Sequence, residues 1–224
     1  MSEIVIAGVG GQGTVLASKL LAKAALLEGH AVRTAETIGM AQRGGTVLGH
    51  VRIARENNYG GARTGSHSDL PLSPLVSAQS ADLLIGFEPG ETVRALPFVR
   101  NGGAVVTAMQ TLVPAGAAAS SIVQGYNGAA ELAYLQGCQT TGRLGSLMVV
   151  DGVAACSRLG SFKALNVLLL GAALATGSIE LSEQALLAAI DALVKPQFRE
   201  LNKQALAQGM SLLAAQGDLE ETRS

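Results

Sequence analysis

Charge is scarce in this 224-residue chain: 15% of residues are Asp, Glu, Lys or Arg, and 16 basic residues face 17 acidic ones. A net charge of −1 removes the attraction on which most nucleic-acid binders rely, and gives no polybasic signal for an anionic membrane surface. Cysteine is scarcer still. Cys138 and Cys156 stand 18 positions apart with no CxxC, which excludes a four-thiolate zinc or iron–sulfur site. They read as free, small apolar core residues, with a disulfide left open. The N-terminus has no basic region followed by a cleavable apolar stretch, so a cytoplasmic protein is expected. The longest strongly apolar run, residues 164–176, is too short to span a bilayer and contains Asn166.

What is present is apolar residue and glycine. Hydrophobic residues make up 48%, so disorder is expected only in the tail, residues 217–224. Glycine contributes 28 of 224 positions, against a norm of about 7%, and clusters between apolar runs, where backbone approaches backbone or ligand. The low charge and Ala/Leu-rich helices suggest large buried faces, shared in part with another chain.

The pattern is α/β. Ile4-Val5-Ile6-Ala7 reads as a buried strand, Gly8 to Gly13 as a turn, Thr14 to Glu28 as a helix capped by Gly29, and Ala31 to Glu36 as a second strand. Together they make one βαβ unit. Further strands are expected at 46–53, 82–87, 104–108 and 147–150. The first of these should carry Val47, Val51 and Ile53 on one side and His50 and Arg52 on a wetter one. Helices are expected near 91–96, 153–158 and 163–175. Ser182 is an N-cap for a helix with Leu186, Ile190 and Leu193 on one face, and Pro196 starts a last helix. The fold class is therefore a three-layer Rossmann-like α/β domain over 1–216, its sheet mostly parallel or mixed, with C-terminal helices over about 182–216.

Gly8-Val9-Gly10-Gly11-Gln12-Gly13 matches G-x-G-x-x-G between a strand and a helix. Such glycines let backbone N–H groups approach a phosphate at the positive helix end, and Thr14 adds a hydroxyl. Glu36 ends the second strand 23 residues after Gly13, near where nicotinamide enzymes keep the acid that binds a ribose hydroxyl. The same glycines also serve where a helix packs tightly on a strand. Gln42-Arg43-Gly44-Gly45 offers a guanidinium fork beside accessible amides, suited to a carboxylate, a phosphate or a neighbouring chain. The competing reading is a glycine turn with Arg43 in water. His30, His50 and His67 show no metal-ligand spacing, and Ser66, His67 and Asp69 read as polar loop. Glu88 and Asp151 end strands, where α/β sites gather, or cap helices. No acid–base pair stands out, so no catalytic residue and no metal site are assigned.

The glycine turn occurs together with Gly39-Met40-Ala41-Gln42-Arg43-Gly44-Gly45 and His50-Val51-Arg52. This combination resembles the gamma subunit or domain of the 2-oxoacid:ferredoxin oxidoreductases, and within them the small beta subunit of the indolepyruvate enzymes. Ser73-Pro74-Leu75, Ala81 to Pro89, Asn101-Gly102-Gly103, Asn166 to Gly171 and Phe198 to Gly209 extend the resemblance over nearly the whole chain. It implies oxidative decarboxylation of a 2-oxoacid on thiamine diphosphate, with electrons leaving through iron–sulfur clusters to ferredoxin and the acyl group passing to coenzyme A. The chain lacks the cluster cysteines and the Gly-Asp-Gly run of a thiamine diphosphate–magnesium site. The implied role is a subunit beside a larger partner that holds thiamine diphosphate, magnesium and the clusters. Coenzyme A is compatible with a shared site at Gly8–Thr14. An aryl 2-oxoacid such as indolepyruvate is the implied substrate class. Residues 54–72 look longer than the family usually carries, and 116–141 match it weakly. The alternatives are a stand-alone NAD-dependent dehydrogenase and a non-catalytic assembly module.

Overall fold

The computed structural model describes residues 1–39, 45–54, 73–109 and 127–213, and follows the backbone of the last helix to Glu221. Six strands form one sheet: β1 (Ser2–Val9), β2 (Val32–Ile38), β3 (Thr46–Ile53), β4 (Ala81–Gly86), β5 (Val99–Ala108) and β6 (Leu144–Val150). Their spatial order is β2-β3-β1-β4-β5-β6. The half β1-β4-β5-β6 is parallel, as expected for near-continuous apolar strands covered on both faces. β3 runs antiparallel to both β1 and β2, so the sheet is mixed. The expected βαβ unit is present but split: α1 (Thr14–Leu27) leads from β1 to β2, and β3 lies between them.

Strand residues alternate between two cores. Ile4, Ile6, Leu83, Ile85 and Val106 face one side, under α1, α4 (Gly152–Leu159), α5 (Leu165–Ala175), α6 (Glu183–Leu193) and α7 (Pro196–Glu221). Val5, Ala7, Leu84 and Val105 face the other, under α2 (Pro89–Ala95) and α3 (Ala129–Thr140). This is the expected three-layer arrangement. The most intimate helix pair is α5 with α7. A Cβ on Gly171 would meet the Leu206 carbonyl, and one on Gly209 the Leu168 carbonyl. Only glycine lets these backbones come so near.

The caps follow the sequence: Gly29 takes φ +84° after α1, and Ser182 Oγ accepts from Ala185 N at 3.1 Å. Five expectations shift. The second strand runs on to Ile38. The wet face of β3 is dry at His50, which is buried, stacked edge-on to Phe98 and accepts from Val76 N at Nδ1. Leu193 stays largely exposed although it lies on the apolar stripe of α6. α3 is an addition to the expected elements. Its one buried residue is Leu135, so its sequence shows no apolar stripe. The last helix continues through 217–221, and residues 222–224 of the expected tail lie outside the described residues. Both cysteines are free thiols, Cys156 buried and Cys138 half-buried. No single helix among the described residues is long and apolar enough to cross a membrane.

Candidate functional site

The connection from β1 leaves toward β2 on one side, and that from β4 leaves through α2 toward β5 on the other. The strand order therefore reverses between β1 and β4, and the crevice outside their carboxyl ends is where open α/β sheets hold ligands. The glycine turn emerges from β1 at this point, and Phe87-Glu88-Pro89 emerges from β4. A bond from Phe87 N to the Ala7 carbonyl (2.8 Å) ties the two exits together.

Much of the turn is closed by its own bonds. Val9 N donates to Gln12 Oε1 at 2.7 Å, Gln12 N to the Val9 carbonyl at 3.1 Å, and Ala17 N to the Gly13 carbonyl at 3.0 Å. Gly8 faces the Gln12 and Phe87 side chains, and Thr14 is buried at the helix start. Gly13 takes φ +90°, and a Cβ there would lie 2.5 Å from Asn166 Nδ2. Asn166 is 2% exposed. Its amide reaches the Gly13 carbonyl only at 3.4 Å while its Oδ1 accepts from Val167 N at 2.9 Å. Gly13 is therefore required by both backbone conformation and packing. Gly11 differs: φ is +96°, but a Cβ would meet nothing within 4 Å. Among the described residues, the backbone N–H groups of Gly11, Gly13, Thr14 and Val15 find no acceptor. These donors, at the uncapped start of α1, form an outer rim suited to an anion.

The inner side has the opposite character. Glu88 is 8% exposed and Glu91 2% exposed. Burial, reinforced by the neighbouring charge of Glu91, pushes the Glu88 carboxyl above its ordinary range, while Arg94 and the Gln12 side chain pull it back. Gln12 Nε2 is itself buried without a hydrogen-bond partner among the described residues. Glu91 pairs with Arg94 through Oε1, and its Oε2 is buried without a partner. With Glu88 beside Gln12 and Glu91 next to it on α2, the inner side of the turn offers acid groups rather than donors.

The second sequence motif comes to the same place. Gly10 N donates to the Gly45 carbonyl at 3.0 Å, and Gly39 N to the Thr46 carbonyl at 2.8 Å. The base of the arginine loop thus rests on the glycine turn. Gln42, Arg43 and Gly44 themselves lie outside the described residues, as do Ser66, His67 and Asp69. Glu36 is exposed on β2, two strands from β1, and does not join the site. Asp151 caps α4 by accepting from Ala154 N at 2.9 Å. His30 ends its helix connection near Glu28. Sequence reasoning singles out Glu88 only as a strand end, and misses Glu91 and the packing of Asn166 on Gly13. The signal available for Glu88 is its place after the strand neighbouring the glycine turn. Asn166 is distant in sequence, and no local pattern marks it.

Cys156 sits in the apolar core, where burial pushes its thiol up to about 11, so it stays protonated at neutral pH. No group of three metal-ligating side chains occurs among the described residues.

The family model described as pyruvate ferredoxin/flavodoxin oxidoreductase matches residues 3–212. The indolepyruvate oxidoreductase subunit IorB of Thermococcus kodakarensis is 31% identical over 208 residues, covering 93% of this chain and 94% of that one. Its counterpart in Archaeoglobus fulgidus is 32% identical over 209 residues, covering 92% of each. In fold, the chain is similar to the gamma subunit of keto/oxoacid ferredoxin oxidoreductase from Geobacter sulfurreducens, with a TM-score of 0.63 at 22% identity, covering 96% of this chain and 99% of that one. It is also similar to part of the 2-oxoglutarate:ferredoxin oxidoreductase of Magnetococcus marinus, with a TM-score of 0.64 at 18% identity, covering 96% of this chain but 31% of that one.

Proposed function

Because the chain belongs to the pyruvate ferredoxin/flavodoxin oxidoreductase family, we propose that it is the small subunit of a thiamine-diphosphate-dependent 2-oxoacid:ferredoxin oxidoreductase. The proposed reaction is oxidative decarboxylation of an aryl 2-oxoacid such as indolepyruvate to its acyl-CoA, in the cytoplasm. The observation that carries the reading is the end-to-end match to IorB subunits at about a third identity. The family match over residues 3–212 spans both the glycine turn and the start of the strand after the arginine loop. Thiamine diphosphate, magnesium and the iron–sulfur clusters belong, in this reading, to a larger partner that passes electrons to ferredoxin. Two cysteines, one of them a buried neutral thiol, are too few for a cluster.

The chain's own contribution is proposed to be at the β1–β4 crevice. The outer rim, Gly11, Gly13 and Thr14, offers amide donors to a coenzyme A phosphate at a site shared with the partner. Gly8, Gly10 and Gln12 hold the turn in shape, and Gly45, bonded to Gly10, ties the end of the arginine loop to it; Gln42, Arg43 and Gly44 are proposed to serve an anion or the interface. The buried pair Glu88–Glu91 keeps phosphate out of the inner crevice.

The test is reconstitution. The chain produced with the larger subunit of its host should reduce ferredoxin on addition of indolepyruvate and coenzyme A, and the chain alone should not. Turnover by the isolated chain overturns the subunit reading. Turnover by the complex on pyruvate but not on aryl 2-oxoacids overturns the substrate class alone.

A further inference from the structure

The apolar stripes of α6 and α7 run past this chain's own core. On α6 the stripe begins with Leu186 and Ile190, both 1% exposed, and ends at Leu193, 43% exposed. On α7 the stripe starts at Phe198, 41% exposed, and reaches the fully buried Ala205. At the corner between the helices these open ends line a pocket of about 300 Å³ together with Leu201 and with Leu16 from the first turn of α1. Lys163 and Lys195 stand on its wall, and neither has an ion-pair partner among the described residues. The acid of α6, Asp191, is already engaged by Lys203 at 2.8 Å. An apolar floor with uncommitted cations is the chemistry of a contact surface that is unfinished in the isolated chain.

We propose that this pocket is a docking site for the larger thiamine-diphosphate subunit, which inserts an apolar side chain with a carboxylate beside it between Lys163 and Lys195. The proposal rests on the subunit reading given above. Charge complementarity selects a foreign, acidic partner over a second copy. An isologous pair centred on the pocket would set Lys163 and Lys195 of one chain against the same lysines of the other, and like charges across an interface are unfavourable. The pocket also borders the first turn of α1, so a partner seated there lies next to the outer rim of the glycine turn.

The experiment measures association of the full chain with the co-produced larger subunit. Lys163→Glu/Lys195→Glu should weaken the complex about tenfold or more, while Lys163→Arg/Lys195→Arg keeps it. Wild-type affinity should fall as NaCl rises from about 0.05 to about 0.5 M. Phe198→Ser should also weaken association, and by more than its effect on the melting temperature of the isolated chain accounts for, because the 41% of the residue that is exposed faces the pocket. A complex that forms but is indifferent to all these variants overturns the docking assignment and leaves the subunit reading intact. Self-association of the pure chain that Phe198→Ser abolishes overturns it in favour of a second copy. Failure of the wild-type chain to bind the larger subunit at all overturns the subunit reading, and this assignment with it.

Discussion

Glu88 and His50 are both buried, and they bias the protein's stability in opposite directions with pH. Burial raises Glu88 above its ordinary value of 4.5, so the folded chain holds that proton more tightly than the unfolded chain. Its stabilising contribution is complete below the unfolded value and is lost as pH rises through the raised one. Burial lowers His50 from 6.5. The neutral ring accepts from Val76 N at 3.3 Å through Nδ1, which a protonated ring cannot do. That contribution is present above the unfolded value and is lost as pH falls through the depressed one. Glu88→Gln is therefore expected to raise the urea midpoint at about pH 8 and to change it little near pH 4. His50→Gln should lower the midpoint overall, since the Phe98 contact goes with it, yet flatten the fall between about pH 8 and pH 5. An unchanged midpoint for Glu88→Gln at the higher pH would show that the carboxyl is not penalised by burial. The composition near Glu88 could not reveal this penalty: Glu-Pro-Gly-Glu reads equally as a solvated helix start, and only the neighbouring strand exit buries it.

At the scale of elements, one substitution at two glycines separates helix propensity from helix packing. Gly137 lies in α3, where an added methyl would meet nothing within 4 Å, whereas a Cβ on Gly209 in α7 would press on the Leu168 carbonyl and on Ala172 N at 2.9 Å. Gly137→Ala should stabilise by roughly 1 kcal/mol through backbone propensity. Gly209→Ala gains the same propensity but forces α5 and α7 apart, and overpacking of about 1–3 kcal/mol should leave it less stable. Equilibrium denaturation of both variants checks the signs; two midpoints moving upward together would mean that the α5–α7 contact yields freely. The contrast also explains what the sequence could convey. α1, α5, α6 and the parallel strands carry apolar stripes or runs that announce them, with Gly29 after α1 and Ser182 before α6 marking helix ends. α3 buries little besides Leu135, so its Ala/Gln composition carries no period to read. Leu193 does lie on its stripe, but the local pattern cannot tell a face covered by the same chain from one left for another.

On the scale of the whole molecule, the decisive feature is non-local: β3 lies between β1 and β2. The glycine turn, its helix and the strand after it are legible because each is written in consecutive residues. The neighbour of β1 is not, since strand order depends on where a later segment docks. That order bears directly on nicotinamide binding. In the dinucleotide fold the ribose-binding acid sits on the strand next to the glycine turn. Here Glu36 is displaced by a further strand, so it stands two strand spacings, about 10 Å, from β1, and its side chain faces solvent. The inner side of the turn meanwhile carries the acids Glu88 and Glu91, which offer a pyrophosphate no cationic partner. The full chain titrated with NADH is therefore expected to show no saturable change in nucleotide fluorescence up to about 1 mM, a weak-binding limit of roughly 4 kcal/mol. Saturable binding in the micromolar range, lost on Glu36→Ala, would contradict the arrangement and reinstate the dehydrogenase reading. Saturable binding that survives Glu36→Ala but fails on Gly11→Val, where an added Cβ meets nothing within 4 Å, would instead place the nucleotide phosphates on the outer rim, as an anion contact without ribose recognition.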